Sequence, residues 1–234
     1  MSADIETLKA CFEAEQNALA ARLTLKDSFD PEALKTCAGV DLAYRQEGDT
    51  EHAVCCIVVT DIRTHEVIEK QRFAGIVEVP YMPGFLSFRE LPLVEKCMAQ
   101  LTVRPDIWFF DGNGYLHPRL MGIASQASFL LDSGTPTVGV AKTYYRVHGA
   151  EYTEPDTQAG STTDIIVDGE VCGKVLRTHD GVRPVFVSAG NNITLDTALK
   201  LTFRLADKES RVPIPTRLAD LETHIAREEL KADG

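Results

Sequence analysis

Three strand-like runs follow one another directly, at Cys37 to Tyr44, Ala53 to Ile62 and Val67 to Val77, before helices and strands begin to alternate. The breaks between them, Glu47-Gly48-Asp49 and Arg63-Thr64-His65, are short enough for hairpins, so these strands are expected to be antiparallel. A fully apolar run, Ile107-Trp108-Phe109-Phe110, and another at Thr137 to Ala141 follow helical stretches over 87–101 and 118–131. Crossovers of that length add parallel strands. Strands resume at Thr163 to Val167, Glu170 to Arg177 and Pro184 to Val187, and helices over 194–205 and 217–230 close the chain. An amphipathic helix over residues 2–23, with Ile5, Leu8, Phe12, Leu19 and Leu23 near helical spacing, precedes the sheet. Residues 146–162 are polar and read as a surface loop. The expectation is one α/β domain over residues 1–234: a mixed sheet of three antiparallel strands plus parallel strands, flanked by helices.

Four acidic residues stand where a carboxylate needs a reason. Asp41 interrupts the run around Gly39-Val40-Asp41-Leu42. It either faces solvent on a half-exposed strand or requires a positive partner. Asp111 ends the apolar run and opens Gly112-Asn113-Gly114, at the carboxyl end of a buried strand where open α/β sheets place ligands. Its alternative is a simple Asp-Gly turn. Glu90, three residues after Ser87, fits a capping box. Asp220 lies near the start of the last helix, where the helix dipole favours acids, with His224 one turn on. Taken together they are carboxylates brought from different elements to one place, the usual donor set for Mg²⁺ or Mn²⁺ and for phosphodiester hydrolysis.

Two further segments suit nucleic acid. Pro80-Tyr81-Met82-Pro83-Gly84 is a stiff turn, since two prolines fix φ around an aromatic–thioether pair that can slide between stacked bases. Its alternative is a hydrophobic turn over the core. Gly112, Gly114, Leu116, His117 and Arg119 combine close backbone approach with groups able to meet a base or a phosphate. Lys142 ends the strand Gly139-Val140-Ala141 and is a candidate phosphate contact.

The net charge of −11 excludes a protein that coats nucleic acid by bulk charge, but its distribution leaves room for a local site. Residues 80–145 are neutral and 171–204 carry +3, whereas 146–170 carry −5 and 1–33 carry −4. No apolar run is long enough to span a membrane, and Met1 to Ala21 is acidic and lacks the regions of a signal peptide, so a cytoplasmic location is expected. The six cysteines have no paired spacing and are expected to be buried thiols.

In combination and in order, these motifs resemble the endonuclease V family. The resemblance is carried by Gly39-Val40-Asp41, Pro80-Tyr81-Met82-Pro83-Gly84 with Leu86-Ser87-Phe88-Arg89-Glu90, and Asp111-Gly112-Asn113-Gly114 with His117-Pro118-Arg119. Gly122-Ile123-Ala124-Ser125, Gly139-Val140-Ala141-Lys142 and Pro215-Thr216-Arg217-Leu218-Ala219-Asp220 extend it over roughly residues 37–225. It implies an RNase H-like fold and Mg²⁺-dependent hydrolysis (Mn²⁺ substituting) of the second phosphodiester bond 3′ to deoxyinosine, leaving 3′-hydroxyl and 5′-phosphate ends. Asp41, Glu90 and Asp111 would be the metal carboxylates, with Asp220 an additional metal-site residue. Tyr81 would be the wedge, Lys142 would support the scissile phosphate, and His117 would lie near the active site. The expected partner is inosine-containing DNA, met by a monomer. Inosine-containing RNA and a non-catalytic inosine binder are the alternatives. Asn191 and Gln126 depart from the family's usual His at both positions.

Overall fold

The structure, a computed structural model, describes residues 2–208 and 210–232. Met1, Glu209, Asp233 and Gly234, which the expected domain includes, lie outside the described residues. Helix α1 (Ser2–Ala20) precedes three long strands, β1 (Thr36–Glu47), β2 (Thr50–Asp61) and β3 (Val67–Ile76). Then come α2 (Leu86–Met98), β4 (Ile107–Phe110), α3 (Ile123–Ala127) with a 3₁₀ turn at Ser128–Leu130, and β5 (Thr137–Ala141). Strands β6 (Ala150–Glu151), β7 (Thr162–Val167), β8 (Glu170–Leu176) and β9 (Val185–Asn191) lead to α4 (Leu195–Leu205) and α5 (Ile214–Ala232). All nine strands join one sheet in the order β3-β2-β1-β4-β5-β9-β8-β7-β6.

The first three strands are antiparallel, and β1, β4 and β5 are parallel neighbours, as expected. The late strands, to which the sequence assigned no direction, extend the sheet antiparallel: β9 runs antiparallel to β5, and β9-β8-β7-β6 is a second antiparallel array. Short connections at Asp168-Gly169 and through 177–184 return the chain on itself, so no crossover is available to make these strands parallel.

Strand β4 is apolar at every position because helices cover both of its faces. Ile107 and Phe109 pack with Val138, Val187, Leu201 and Leu205 on one side. Trp108 and Phe110 pack with Ile57, Leu91, Val94 and Ala127 on the other. Phe109 is fully enclosed, so Phe109→Ala is expected to cost about 3–5 kcal/mol.

Parallel register sets the functional end of the sheet. Val40 pairs with Phe110, so the next residues, Asp41 and Asp111, follow on adjacent strands. Phe110 pairs in turn with Gly139, which brings the end of β5 and Lys142 alongside. Gly39 lets α5 approach, because a Cβ there would lie 2.0 Å from the Pro215 carbonyl carbon and 2.2 Å from the Thr216 nitrogen. The helix therefore rests on β1, with Ala226 against Ala43, Val54 and Cys56.

Several local expectations are corrected. The expected helix over 118–131 is confined to Ile123–Ala127 and the following 3₁₀ turn, since Pro118 and the positive φ of Leu120 (58°) hold the preceding stretch irregular. The capping box is absent: α2 starts at Leu86 after Phe85, with no side-chain cap, and Ser87 lies within the helix. Cys11 is exposed, whereas the other five cysteines are buried and free. Among the described residues no helix is long and apolar enough to cross a membrane.

Candidate active site

Asp41, Glu90 and Asp111 line one small cavity of about 160 Å³, together with Val40, Leu42, Phe110 and Ile123. Each carboxylate reaches it from a different element, and each holds a hydrogen-bonding partner from a further one. The Thr223 hydroxyl of α5 donates to Asp41 Oδ2 at 2.7 Å. The Tyr44 hydroxyl of β1 donates to Glu90 Oε1 at 2.5 Å. Lys142 Nζ lies 2.7 Å from Asp111 Oδ2 and 3.2 Å from Asp220 Oδ1, bridging β4 to α5. Asp220 is also 3.0 Å from Arg217 Nη1, and His224 Nε2 stands 3.9 Å from it.

The electrostatics follow from burial and crowding. Burial pushes Asp41 up to about 6; the Thr223 hydrogen bond opposes this and the Asp111 charge adds to it. Glu90, 8% exposed, is pushed up to about 7 by burial, with the charges of Asp41 and Asp111 adding to the shift against the Tyr44 hydrogen bond. Burial disfavours the Lys142 ammonium, but Asp111 and Asp220 outweigh it and raise its pKa.

The donor set is that of a hard divalent cation: carboxylate oxygens alone, gathered in a site where burial, with neighbouring charge adding to it, raises Asp41 and Glu90. Among the described residues no three His, Cys, Asp or Glu side chains converge closely enough to hold an ion as they stand. Lys142, Thr223 and Tyr44 take up the oxygens instead. The residues thus fit such an ion by chemistry and by shared cavity, with a protein partner on one oxygen of each acid.

Beside this cavity opens a second pocket, of about 210 Å³, and Asp111 and Ile123 belong to both walls. Tyr81, Met82, Gly112, Asn113, His117 and Lys142 line it further. Tyr81 is 66% exposed while Met82 beside it is buried, so the turn presents its aromatic ring outward and anchors on its thioether. Pro80 and Pro83 are exposed on either side. Gly114 and Leu116 are not in the wall. A Cβ on Gly114 would lie 2.2 Å from the Ala189 carbonyl oxygen, and Leu116 is fully buried in the cluster with Val147, Ile165 and Val175.

His117 and Arg119 face the turn. The carbonyl oxygen of Gly84 meets three donors: Arg119 Nη2 at 3.0 Å, Gln16 Nε2 at 3.2 Å, and His117 Nε2 at 3.1 Å. Burial first, then the Arg119 charge, depresses His117 to about 4, so its ring is neutral at pH 7. Its Nδ1 accepts from the Arg119 backbone N–H at 3.2 Å, which leaves Nε2 as the protonated nitrogen. Arg119 Nε donates to Gln16 Oε1 at 2.6 Å, and its guanidinium lies 4.5 Å from the Phe85 ring centre. Arg89 ties the other end of the turn, donating to the Val79 carbonyl at 2.8 Å while lying over Tyr44 and pairing with Glu51.

Gln16, Tyr44, Thr223 and Asn113 are site residues that sequence reasoning passed over. Gln16 is a lone polar residue on an amphipathic helix, and Tyr44 and Thr223 have no motif of their own. Asn113 stands inside the Asp111-Gly112-Asn113-Gly114 motif without a role of its own assigned from the sequence. The two departures from the family pattern also have partners. Gln126 Oε1 accepts the Ser87 hydroxyl at 2.5 Å. Asn191 joins Thr24 to Ser128, accepting the Thr24 N–H at 2.7 Å and donating to the Ser128 hydroxyl at 3.0 Å.

An RNase H-like mixed sheet that brings carboxylates from β1, β4 and α2 to one cavity, with a lysine across them and an aromatic turn beside it, defines a nucleic-acid nuclease. A family model described as Endonuclease V matches residues 17–221. The chain belongs to the endonuclease V family. It is 52% identical over 219 residues to endonuclease V of Clostridium acetobutylicum, covering 94% of this chain and 93% of that one. The crystal structure of endonuclease V from Bacillus subtilis matches with a TM-score of 0.89 at 47% identity, over 94% of this chain and 92% of that one. Ciona intestinalis endonuclease V, in complex with a 24mer DNA containing an inosine followed by a ribo-adenosine, matches with a TM-score of 0.85 at 26% identity, over 98% and 100%.

Proposed function

We propose that this chain is a DNA repair endonuclease that recognises deoxyinosine and hydrolyses the second phosphodiester bond on its 3′ side, leaving 3′-hydroxyl and 5′-phosphate ends. The observation that carries the reading is the shared wall: Asp111 lines both the acidic cavity and the 210 Å³ pocket, so a base in the pocket lies next to the hydrolytic carboxylates. The Ciona relative bound to inosine-containing DNA supports the choice of base.

Asp41, Glu90, Asp111 and Asp220 would hold Mg²⁺, or Mn²⁺ in its place. Bound there, the ion supplies a water of lowered pKa and positive charge toward the phosphate oxygens. Lys142 adds its ammonium to the phosphate being cut, in a site where burial strengthens each charge. Tyr81, stiffly mounted and outward-facing, holds the strands apart while the base enters the pocket past Pro80, Met82 and Pro83. Gly112 allows the close approach that a flat purine needs, and Gly114, Leu116, His117 and Arg119 support that wall and the turn from behind. An inosine pair is weaker than a normal one, which lowers the cost of extrusion and contributes to selectivity. We take the chain to act as a monomer in the cytoplasm.

Cleavage of inosine-containing RNA is the second reading, favoured by the ribo-adenosine that follows inosine in the Ciona complex. Matched inosine DNA and RNA strands compared side by side decide between the two. Mg²⁺-dependent cutting by the wild-type chain, lost in Asp111→Ala, is the expected result; metal-independent retention in a gel shift without cutting would make the chain a binder instead.

A further inference from the structure

Glu90 is the most enclosed of the three cavity acids, and its hydrogen bonding is one-sided. Oε1 accepts the Tyr44 hydroxyl at 2.5 Å. Oε2 has no hydrogen-bond partner among the described residues, yet it is not one of the side-chain atoms there that are both unpaired and sealed from solvent. One oxygen is tied back to the protein, and the other stays open, on a residue that lines the same cavity as Asp41 and Asp111. A carboxylate buried in this way is costly unless its charge is met.

Tyr44 is mounted firmly enough to hold that bond. Side chains alternate along β1, so Tyr44 turns with Val40 and Leu42 to the face that α2 covers, whereas Asp41 and Ala43 turn to α5. Its main chain pairs with Ala53 of β2. Its ring packs against the core cluster that contains Leu91 and Phe110. Arg89, the residue before Glu90, lies 4.6 Å from the ring centre and is itself held by Glu51 and by the Val79 carbonyl.

We propose that Tyr44 is a positioning residue for the metal site: its hydroxyl holds Glu90 by Oε1 and leaves Oε2 as the oxygen offered to a divalent ion. This rests on the reading of the cavity as a metal site. A hydrogen bond to the ionised carboxyl favours that form, and the ionised form is the one that ligates. The bond also fixes the orientation of the carboxyl group, and outer partners of this kind commonly set metal affinity by about 10- to 100-fold. Tyr44 meets neither the ion nor the nucleic acid; it acts through Glu90.

The test is Mn²⁺ binding by the full chain without nucleic acid, read from the electron paramagnetic resonance of the free ion, in a cycle of wild type, Tyr44→Phe, Glu90→Gln and the double variant. Tyr44→Phe removes the donor and keeps the ring beside Arg89. It is expected to raise the Mn²⁺ concentration at half-saturation about 10-fold. The Mn²⁺ needed for half-maximal cutting of a deoxyinosine duplex should rise by a similar factor, with the rate at saturating Mn²⁺ within about threefold of wild type. In the Glu90→Gln background the same change should move the binding midpoint by less than about twofold. A midpoint does not depend on the folded fraction, and Tyr44→Leu, which also lacks the donor, gives the same reading if the phenylalanine variant does not fold. A Tyr44→Phe midpoint equal to or tighter than wild type, or an equal shift in both backgrounds, overturns the proposal and leaves the metal reading in place. Wild type and Glu90→Gln that bind Mn²⁺ alike overturn the metal reading itself, and the proposal with it.

Discussion

The acidic cavity and the Tyr81 turn beside it use buried polarity in opposite ways. Around the Gly84 carbonyl three donors meet one acceptor, and Arg119 is further held by Gln16, Phe85 and Glu13. Among the described residues, Asp41, Glu90 and Asp111 each have a single short contact, two of them to hydroxyls, while burial and neighbouring charge push Asp41 and Glu90 toward neutrality. The first arrangement spends its groups on rigidity. The second leaves its acids few partners, which is the arrangement the proposed cation site requires. On the proposed reading, separating strands at one point and cutting at another draws on both, and Asp111 and Ile123 join the two pockets side by side.

The contrast breaks most sharply at Asp111. Asp111→Ala is expected to lower cleavage by about a hundred- to a thousandfold, the scale of removing one group that meets transition-state charge, with the melting curve little changed; initial rates and a thermal scan check both. Gln16→Leu is expected to do the reverse. It strips partners from Arg119 and from the Gly84 and Met121 carbonyls, and should cost about 2–3 kcal/mol in a urea melt. Tyr81→Ala, at an exposed ring, should leave stability within about 0.5 kcal/mol. It should slow cutting of a duplex about tenfold, the scale of one base–aromatic stack, and slow a single-stranded inosine substrate less.

The smallest effect expected is one of pH. Asp41 and Glu90 have folded values of about 6 and about 7 against ordinary values of 3.8 and 4.5. The folded chain therefore holds protons that the unfolded chain has released, so this contribution to stability is present at acid pH and is lost as pH rises through 6 and 7. Protons and a divalent ion compete for the same oxygens. Mg²⁺ should raise the melting temperature more at pH 8 than at pH 5, and equal shifts would mean that these carboxylates do not bind it. His117 runs the other way: with a folded value near 4, its contribution is present above pH 6.5 and fades as pH falls toward 4.

Much of this contrast was legible in the sequence. The strands at 107–110 and 137–141 fall where an apolar run ends in Asp111 and Lys142, because burial on both faces writes itself as uninterrupted hydrophobicity. The stiff turn at Tyr81 was legible from its prolines. Strand direction in 162–191 was not, since an alternating pattern is the same read either way and only the connections set the pairing. The irregular stretch before α3 was not legible either, because Leu120 takes a positive φ that its residue type does not announce. Glu90 looked like a helix cap because Ser87 stands three residues before it; its partner Tyr44 lies on β1, a contact no local spacing encodes. Leu116 lay among glycines and was read as pocket, but its side chain belongs to the core.

The central claim is that the carboxylates of β1, β4 and α2 cut the strand at a set distance from a base held beside them. A labelled duplex with a single deoxyinosine, incubated with and without Mg²⁺ and mapped to one nucleotide, tests it most directly. One nick at the second phosphodiester 3′ of the lesion, absent without the ion, is the predicted result; cutting that is scattered, placed 5′ of the lesion, or unchanged when the ion is removed would contradict it.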